Sequence, residues 1–169
     1  MGVMPEIISR YSCREFLDKA LDNDAISSIL ESARLAPSAK NRQAWRFVAV
    51  TRKDMRDRIM EACYGQEHVG KAACIVACCT TNIDYKMPNG QLSYPVDLGL
   101  AAGFVMLQAQ HLGLGSCAIT TFNEEQVKNV LTMPYLMKIV ILVAIGYPAD
   151  AAPDRQRLPP ARVVSENRW

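Results

Sequence analysis

Apolar residues recur along this chain in two rhythms. In "AISSILESARLA" (25–36) Ile26, Ile29, Leu30, Ala33 and Ala36 fall at helical spacing, with Asp24 or Asn23 as the cap and Pro37 as the stop. "KDMRDRIMEACY" (53–64) keeps the same period, and Asn123 caps "EEQVKNVL", where Glu124 and Glu125 are well placed in the first turn. Short apolar runs alternate with these segments. "WRFVAV", "ACIVACCTT", "CAIT" and "KIVILVAIGY" predict strands, the second and the last of them fully buried. The longest apolar stretch, "PVDLGLAAGFVMLQAQHLGLG", is interrupted by Asp97, Gln108, Gln110 and His111, all costly in a bilayer. It predicts a helix covered on most sides, at the centre of the domain or at a subunit interface. Helices alternating with apolar strands predict an α/β or α+β domain around one sheet.

Polar segments punctuate this pattern. "PSAKNRQA" joins the first helix to the first strand, and "NIDYKMPNGQLSYP" is a long loop with a turn at Pro88-Asn89-Gly90. A loop of that length in a compact domain is usually functional or mobile, and the stretch from Asn82 to Tyr94 is a candidate cover for a site. Beyond Pro148, "PADAAPDRQRLPPARVVSENRW" has no helical period and predicts an extended arm.

Composition narrows the choice of function. At 169 residues, half of them apolar, the chain predicts one domain over 1–169 with a substantial core. A formal net charge of +2 gives no strong electrostatic footprint for nucleic acid or membrane. The N-terminus lacks a basic region followed by an apolar run, so no secretory signal is expected, and Glu6 excludes myristoylation. Six cysteines without the short paired spacings of a metal site predict reduced thiols and a cytoplasmic location. "GLGLGS" follows a helix, not a strand, which removes the dinucleotide-binding context. His68 and His111 have no spaced partner, and no serine lies in a nucleophile elbow.

Three polar clusters remain. In "RYSCREF" Arg10 and Arg14 stand one helical turn apart if the segment is helical, with Ser12 between them: a plausible phosphate cradle. The competing reading is a solvated face with Arg14 paired to Glu15 or Asp18. "RQRLPPAR" sets Arg155 and Arg157 on one side of an extended arm, which otherwise is a solubilising tail. "PSAKNRQAW" offers Ser38, Asn41 and Gln43 for a polar heterocycle, with Trp45 as a wall, or is an ordinary connection.

Taken in chain order, "RYSCREF", "APSAKNRQAWRFVAV", "DLGLAAGFVMLQAQHLGLGSCAITTF", "VAIGYP" and "RQRLP" resemble the FMN-dependent nitroreductase family over nearly the whole chain. The resemblance implies an α+β fold with a central, mostly antiparallel sheet flanked by helices, in an intertwined homodimer with a swapped C-terminal arm. It also implies bound FMN at the subunit interface, with NAD(P)H as transient reductant. Carried over by position, Arg10, Ser12, Arg14 and the backbone at Tyr11 would hold the phosphate and ribityl chain, and Arg155 and Arg157 would close on the same phosphate. Pro37, Ser38 and Asn41 would come from the other subunit, Gln66 would meet the ring edge, and Ala118, Thr120 and Thr121 would lie near N5. Many members have glycine where Thr120 and Thr121 stand, and Ala44 replaces the usual proline.

The implied activity is ping-pong transfer of hydride or electrons from NAD(P)H to a small-molecule acceptor such as a nitroaromatic or quinone, with no residue assigned a catalytic role. Alternatives are a specialised family activity (flavin destruction, dehalogenation or enone reduction) and a flavin-binding module without turnover. A nucleic-acid binder would need aromatic residues beside the tail arginines, where only Trp169 stands. Neither nucleic acid nor membrane is expected as a partner.

Overall fold

The structure, a computed structural model, describes residues 2–169. Four strands form one antiparallel sheet: β1 (Arg46–Val50), β2 (Cys74–Thr80), β3 (Gly115–Ile119) and β4 (Lys138–Gly146), in the order β1-β2-β4-β3. Six α-helices accompany it: α1 (Pro5–Ser9), α2 (Asn23–Arg34), α3 (Lys53–Ala62), α4 (Glu67–Lys71), α5 (Ser93–His111) and α6 (Glu124–Val130). The expected α+β class and mostly antiparallel sheet are present.

Side-chain alternation on β2 explains why its whole run is apolar. Ile75, Ala77 and Cys79 enter a core with Ile59 and Ala62 of α3, Val69 of α4 and Val127 of α6. Cys74, Val76 and Cys78 enter a second core with Ile29 and Ala33 of α2 and with Leu98, Ala102, Val105 and Ala109 of α5. A central strand covered on both faces needs no polar face, so its sequence does not alternate. On β4 the register against β2 slips between Cys78 and Cys79, which pair with Ile141 and Ile139. This bulge places consecutive Val140 and Ile141 both against the α2–α5 core.

Three sequence expectations are corrected. The cap of α2 is Asp22, whose Oδ1 accepts from the Ala25 amide at 2.7 Å, so the helix begins two residues before Ala25. "RYSCREF" is not helical. Arg10 ends α1 in extended backbone, Ser12 pairs in parallel with Ser116 on the free edge of β3, and Phe16 pairs with Pro148. The long apolar stretch is helical from Ser93, which shortens the loop before it. That loop folds back through a turn at Gly90 (φ +85°) and a bridge between Lys86 and Leu92.

Candidate functional site

The extended form of residues 10–14 sorts them by parity. Tyr11 and Cys13 point into the core, 8% and 0% exposed, while Arg10, Ser12 and Arg14 share the opposite side. The Cys13 amide donates to the Ser116 carbonyl at 3.0 Å, fixing this strip along β3. Tyr11 Oη donates to the Asp150 carbonyl at 3.0 Å and lies 3.3 Å from its carboxylate, so the start of the arm is fastened to the same strip. Burial, with the neighbouring Cys13 and the Asp150 charge, pushes the Tyr11 phenol well above its ordinary pKa.

The exposed side of the strip is rich in unsatisfied donors. Arg10 Nε is buried without a hydrogen-bond partner, and neither Arg10 nor Arg14 pairs with a carboxylate among the described residues. Arg14 therefore does not pair with Glu15 or Asp18; Lys71 takes Glu15 instead. Both guanidinium groups act on Cys117 of β3, where burial raises the thiol pKa and the two positive charges oppose that rise. Arg155 is brought to the same end of the molecule, its Nη2 donating to the Ile8 carbonyl two residues before Arg10. Arg157 is not joined to the cluster; its Nη1 bonds to the carbonyl of Gln156 at 3.1 Å.

The strip continues along β3, where Ala118 is exposed, into Thr120 and Thr121, also exposed. Gln66 Nε2 donates to the Thr121 and Cys63 carbonyls, each at 3.0 Å, tying the start of α4 to this segment. His68, the second residue of α4, has no spaced partner in the sequence and lies in the structure beside Arg14 and Glu15. Its Nε2 is buried and unpartnered, and burial together with the charge of Arg14 lowers its pKa, with Glu15 opposing.

Pro37, Ser38 and Asn41 lie elsewhere, in the loop before β1. No hydrogen bond or ion pair joins them to the Arg10 strip among the described residues. β1 and β3 are opposite edges of the sheet, three strand spacings or about 14 Å apart. The loop is held from below by Asp97 of α5, whose Oδ1 accepts from the Ala39 amide at 2.8 Å. This is the second residue whose role the sequence hid, since Asp97 reads there only as an interruption of an apolar helix. Lys40, Asn41 and Gln43 are all left-handed, at φ 55°, 53° and 49°. The Gln43 amide bonds to Ser38 Oγ at 3.0 Å, and its side-chain amide bonds to Asn41 Oδ1 at 3.1 Å.

A cleft of about 380 Å³ adjoins the end of "RYSCREF", lined by Phe16, Lys53, Arg56, Asp57, Glu67 and Lys71 among others. Lys53 there is paired with Asp57 and Lys71 with Glu67, and Arg56 donates to the Gly70 and Ala72 carbonyls. The unmet donors are instead on the open strip. No group of three metal-ligating side chains comes together among the described residues, and no helix among them is long and apolar enough to cross a membrane.

FMN needs donors for a phosphate and an edge that backbone and small side chains can approach. The buried, unpartnered Arg10 Nε and the free faces of Ser12 and Arg14 beside β3 fit the first need, and exposed Ala118 fits the second.

Comparison with known proteins gives the same answer by a separate route. A family model described as the nitroreductase family matches residues 7–92 and 64–147. A protein of Archaeoglobus fulgidus named as an NADH dehydrogenase/NAD(P)H nitroreductase is 31% identical over 149 residues, 85% of this chain and 84% of its own. An FMN reductase [NAD(P)H] of Bacillus subtilis is 28% identical, over 93% of this chain and 70% of its own. The crystal structure of a nitroreductase family protein from Clostridium novyi superposes with a TM-score of 0.82 at 27% identity, covering 89% of this chain and 87% of that one. With most of its length matched by the family model and the strip, sheet and arm arranged as described, this chain belongs to the nitroreductase family.

Proposed function

We propose that the protein is an FMN-dependent oxidoreductase that passes reducing equivalents from NAD(P)H to a small organic acceptor such as a nitroaromatic or quinone. The observation behind this reading is the Arg10 strip: guanidinium donors fixed along a sheet edge, one of them buried without a partner, with Arg155 delivered alongside. A buried cationic donor left unsatisfied is costly, and a phosphate would satisfy it with short, charge-assisted bonds. The names of the Archaeoglobus and Bacillus relatives, an NAD(P)H nitroreductase and an FMN reductase, support the redox partners.

In this reading Arg10, Ser12 and Arg14 bind the phosphate and ribityl chain, and Arg155 adds charge beside them, with Arg157 reaching the phosphate only if the arm moves. Tyr11 contributes backbone, its hydroxyl being committed to Asp150. Ala118 and the backbone of Thr120 and Thr121 lie near the ring, and Gln66 fixes the Thr121 carbonyl against it. Pro37, Ser38 and Asn41 come from the opposite sheet edge of a second subunit, because one chain holds the two clusters apart. Bound FMN supplies hydride and electron transfer, and the chain supplies binding and orientation. Reductant and acceptor take turns in one space, which gives ping-pong kinetics. Six buried cysteines, all free, support a reducing cytoplasmic setting.

The test is the Arg10→Ala/Arg155→Ala double variant. Wild type purifies yellow, releases FMN on denaturation and oxidises NAD(P)H when menadione or a nitroaromatic is added. At about 1.5–3 kcal/mol for each charged hydrogen bond, the double variant loses FMN affinity by about 100-fold or more and purifies colourless. Stoichiometric flavin in that variant overturns the assignment.

A further inference from the structure

The loop before β1 holds two cations in an unusual setting. Arg42 Cζ lies 4.0 Å from the centre of the Tyr85 ring, and Lys40 Nζ lies 5.8 Å from the same centre. Neither pairs with a carboxylate among the described residues, whereas Arg34, Arg52, Lys53, Lys71, Lys128 and Lys138 all do. Asp84 is adjacent to Tyr85 in the chain and still takes neither charge. The backbone that presents them is held in a costly form. Lys40, Asn41 and Gln43 are left-handed without being glycine, and the loop is held in that form by hydrogen bonds that Asp97 accepts from the Ala39 amide and that Ser38 and Asn41 accept from Gln43. The loop so held carries Lys40 and Arg42 over Tyr85 and beside Ser38 and Asn41.

We propose that Lys40 and Arg42, backed by Tyr85, receive a phosphate group of the nicotinamide dinucleotide at the mouth of the flavin site. Guanidinium bonds phosphate through two parallel N–H groups, and the ring behind it limits the rotamers lost on binding. Lys40 adds a second charge without a geometric demand. The inference rests on the oxidoreductase reading, which places Ser38 and Asn41 at the flavin. In that reading the FMN phosphate is taken by the Arg10 strip of the other chain, so this second cationic site is left for the reductant. Two phosphates carry the same chemistry, the bridging pyrophosphate of both nucleotides and the 2′-phosphate found only on NADPH.

The experiment titrates NADP+ and NAD+ into the FMN-loaded protein, for wild type and for Arg42→Ala and Lys40→Ala/Arg42→Ala, at low and high salt. Both side chains are exposed, so truncation leaves the cores intact. The expected result is a loss of affinity of about tenfold for the single variant and more for the double, a weaker salt dependence, and unchanged FMN content. Loss for NADP+ alone assigns the 2′-phosphate; equal loss for both nucleotides assigns the pyrophosphate. Arg42→Lys, which keeps the charge and loses the fork, falls between. Unchanged affinity for both nucleotides in the double variant overturns the proposal. Absence of turnover with either nucleotide counts against the oxidoreductase reading, while the titration still decides this one.

Discussion

Asp97 shows how much one buried carboxylate organises. It lies in α5, 8% exposed, and receives the Ala39 amide at 2.8 Å across 58 positions of chain. Ser93, one turn earlier, is fully buried with its hydroxyl unpartnered, so among the described residues Asp97 alone ties this helix end to the loop before β1 through a side-chain hydrogen bond. Asp97→Ala removes the acceptor and releases three left-handed residues to relax. A hydrogen bond to a charged group is worth about 1.5–3 kcal/mol, so the variant is expected to lose about 2 kcal/mol of unfolding free energy, measured by denaturant titration of the apoprotein. On the proposed reading FMN affinity falls with it, because Ser38 and Asn41 lose their fixed position. Asp97→Asn keeps an acceptor oxygen of the same size and is expected to lose less than half as much. Equal losses would mean that the charge matters and the hydrogen bond does not.

Among the elements, α6 carries the clearest dependence on pH. Glu124 opens the helix after the Asn123 cap; its Oε1 accepts the Ile139 amide and Lys128 Nζ, both at 3.0 Å, and its Oε2 accepts Lys138 Nζ at 2.7 Å. Burial raises its pKa, yet these bonds more than offset that and hold it below the ordinary 4.5. A depressed carboxyl stabilises the fold fully above its unfolded value and loses that contribution as pH falls from about 4.5 through the folded value. Glu124→Gln is therefore less stable than wild type at neutral pH and shows a shallower loss over that acid window, which thermal melts between neutral and acid pH will read. Parallel melting curves for the two proteins would contradict the coupling of α6 to β4.

The same helix was readable beforehand, since an Asn cap and two first-turn glutamates are local signals. β2, β4 and α5 were readable because burial on both sides leaves continuous apolar runs. α1 and α4 were not, each being five residues long with no repeating face. Asn23 and Asp24 were the cap candidates for α2, and the cap is instead their neighbour Asp22, whose carboxylate reaches the Ala25 amide. "RYSCREF" misled for a related reason: positions four apart lie on one side of a helix and also on one side of a strand. The decision was made by Ser116, more than 100 residues away, which no local pattern contains. The meeting of Arg155 with the α1 end was reached only through resemblance to a family.

At the scale of the molecule, the two halves of the proposed site lie on opposite edges of the sheet and a stripe of α5 lies bare. Val96, Leu100 and Phe104, 43%, 43% and 39% exposed, recur every fourth residue, with Gly99 and Gly103 between them allowing close approach. The helix is apolar enough to be buried all round, yet its own chain covers only the side that carries Leu98, Ala101, Ala102 and Val105. The arm leaves Leu158, Val163 and Val164 exposed as well. A second copy packed on α5 would cover this stripe, bring the Ser38–Asn41 loop of one chain to the Arg10 strip of the other, and give the arm a surface to cross. Leu100→Glu/Phe104→Glu places two carboxylates on the stripe, where pairing would bury them without partners. Light scattering on wild type is expected to give the mass of two chains, and on the double variant the mass of one. If the site is shared as proposed, the monomer also loses FMN while its far-ultraviolet circular dichroism stays that of a folded α+β chain. A wild-type monomer that retains stoichiometric FMN would show that one chain completes the site, and the assignment of Pro37, Ser38 and Asn41 to a second subunit would fall.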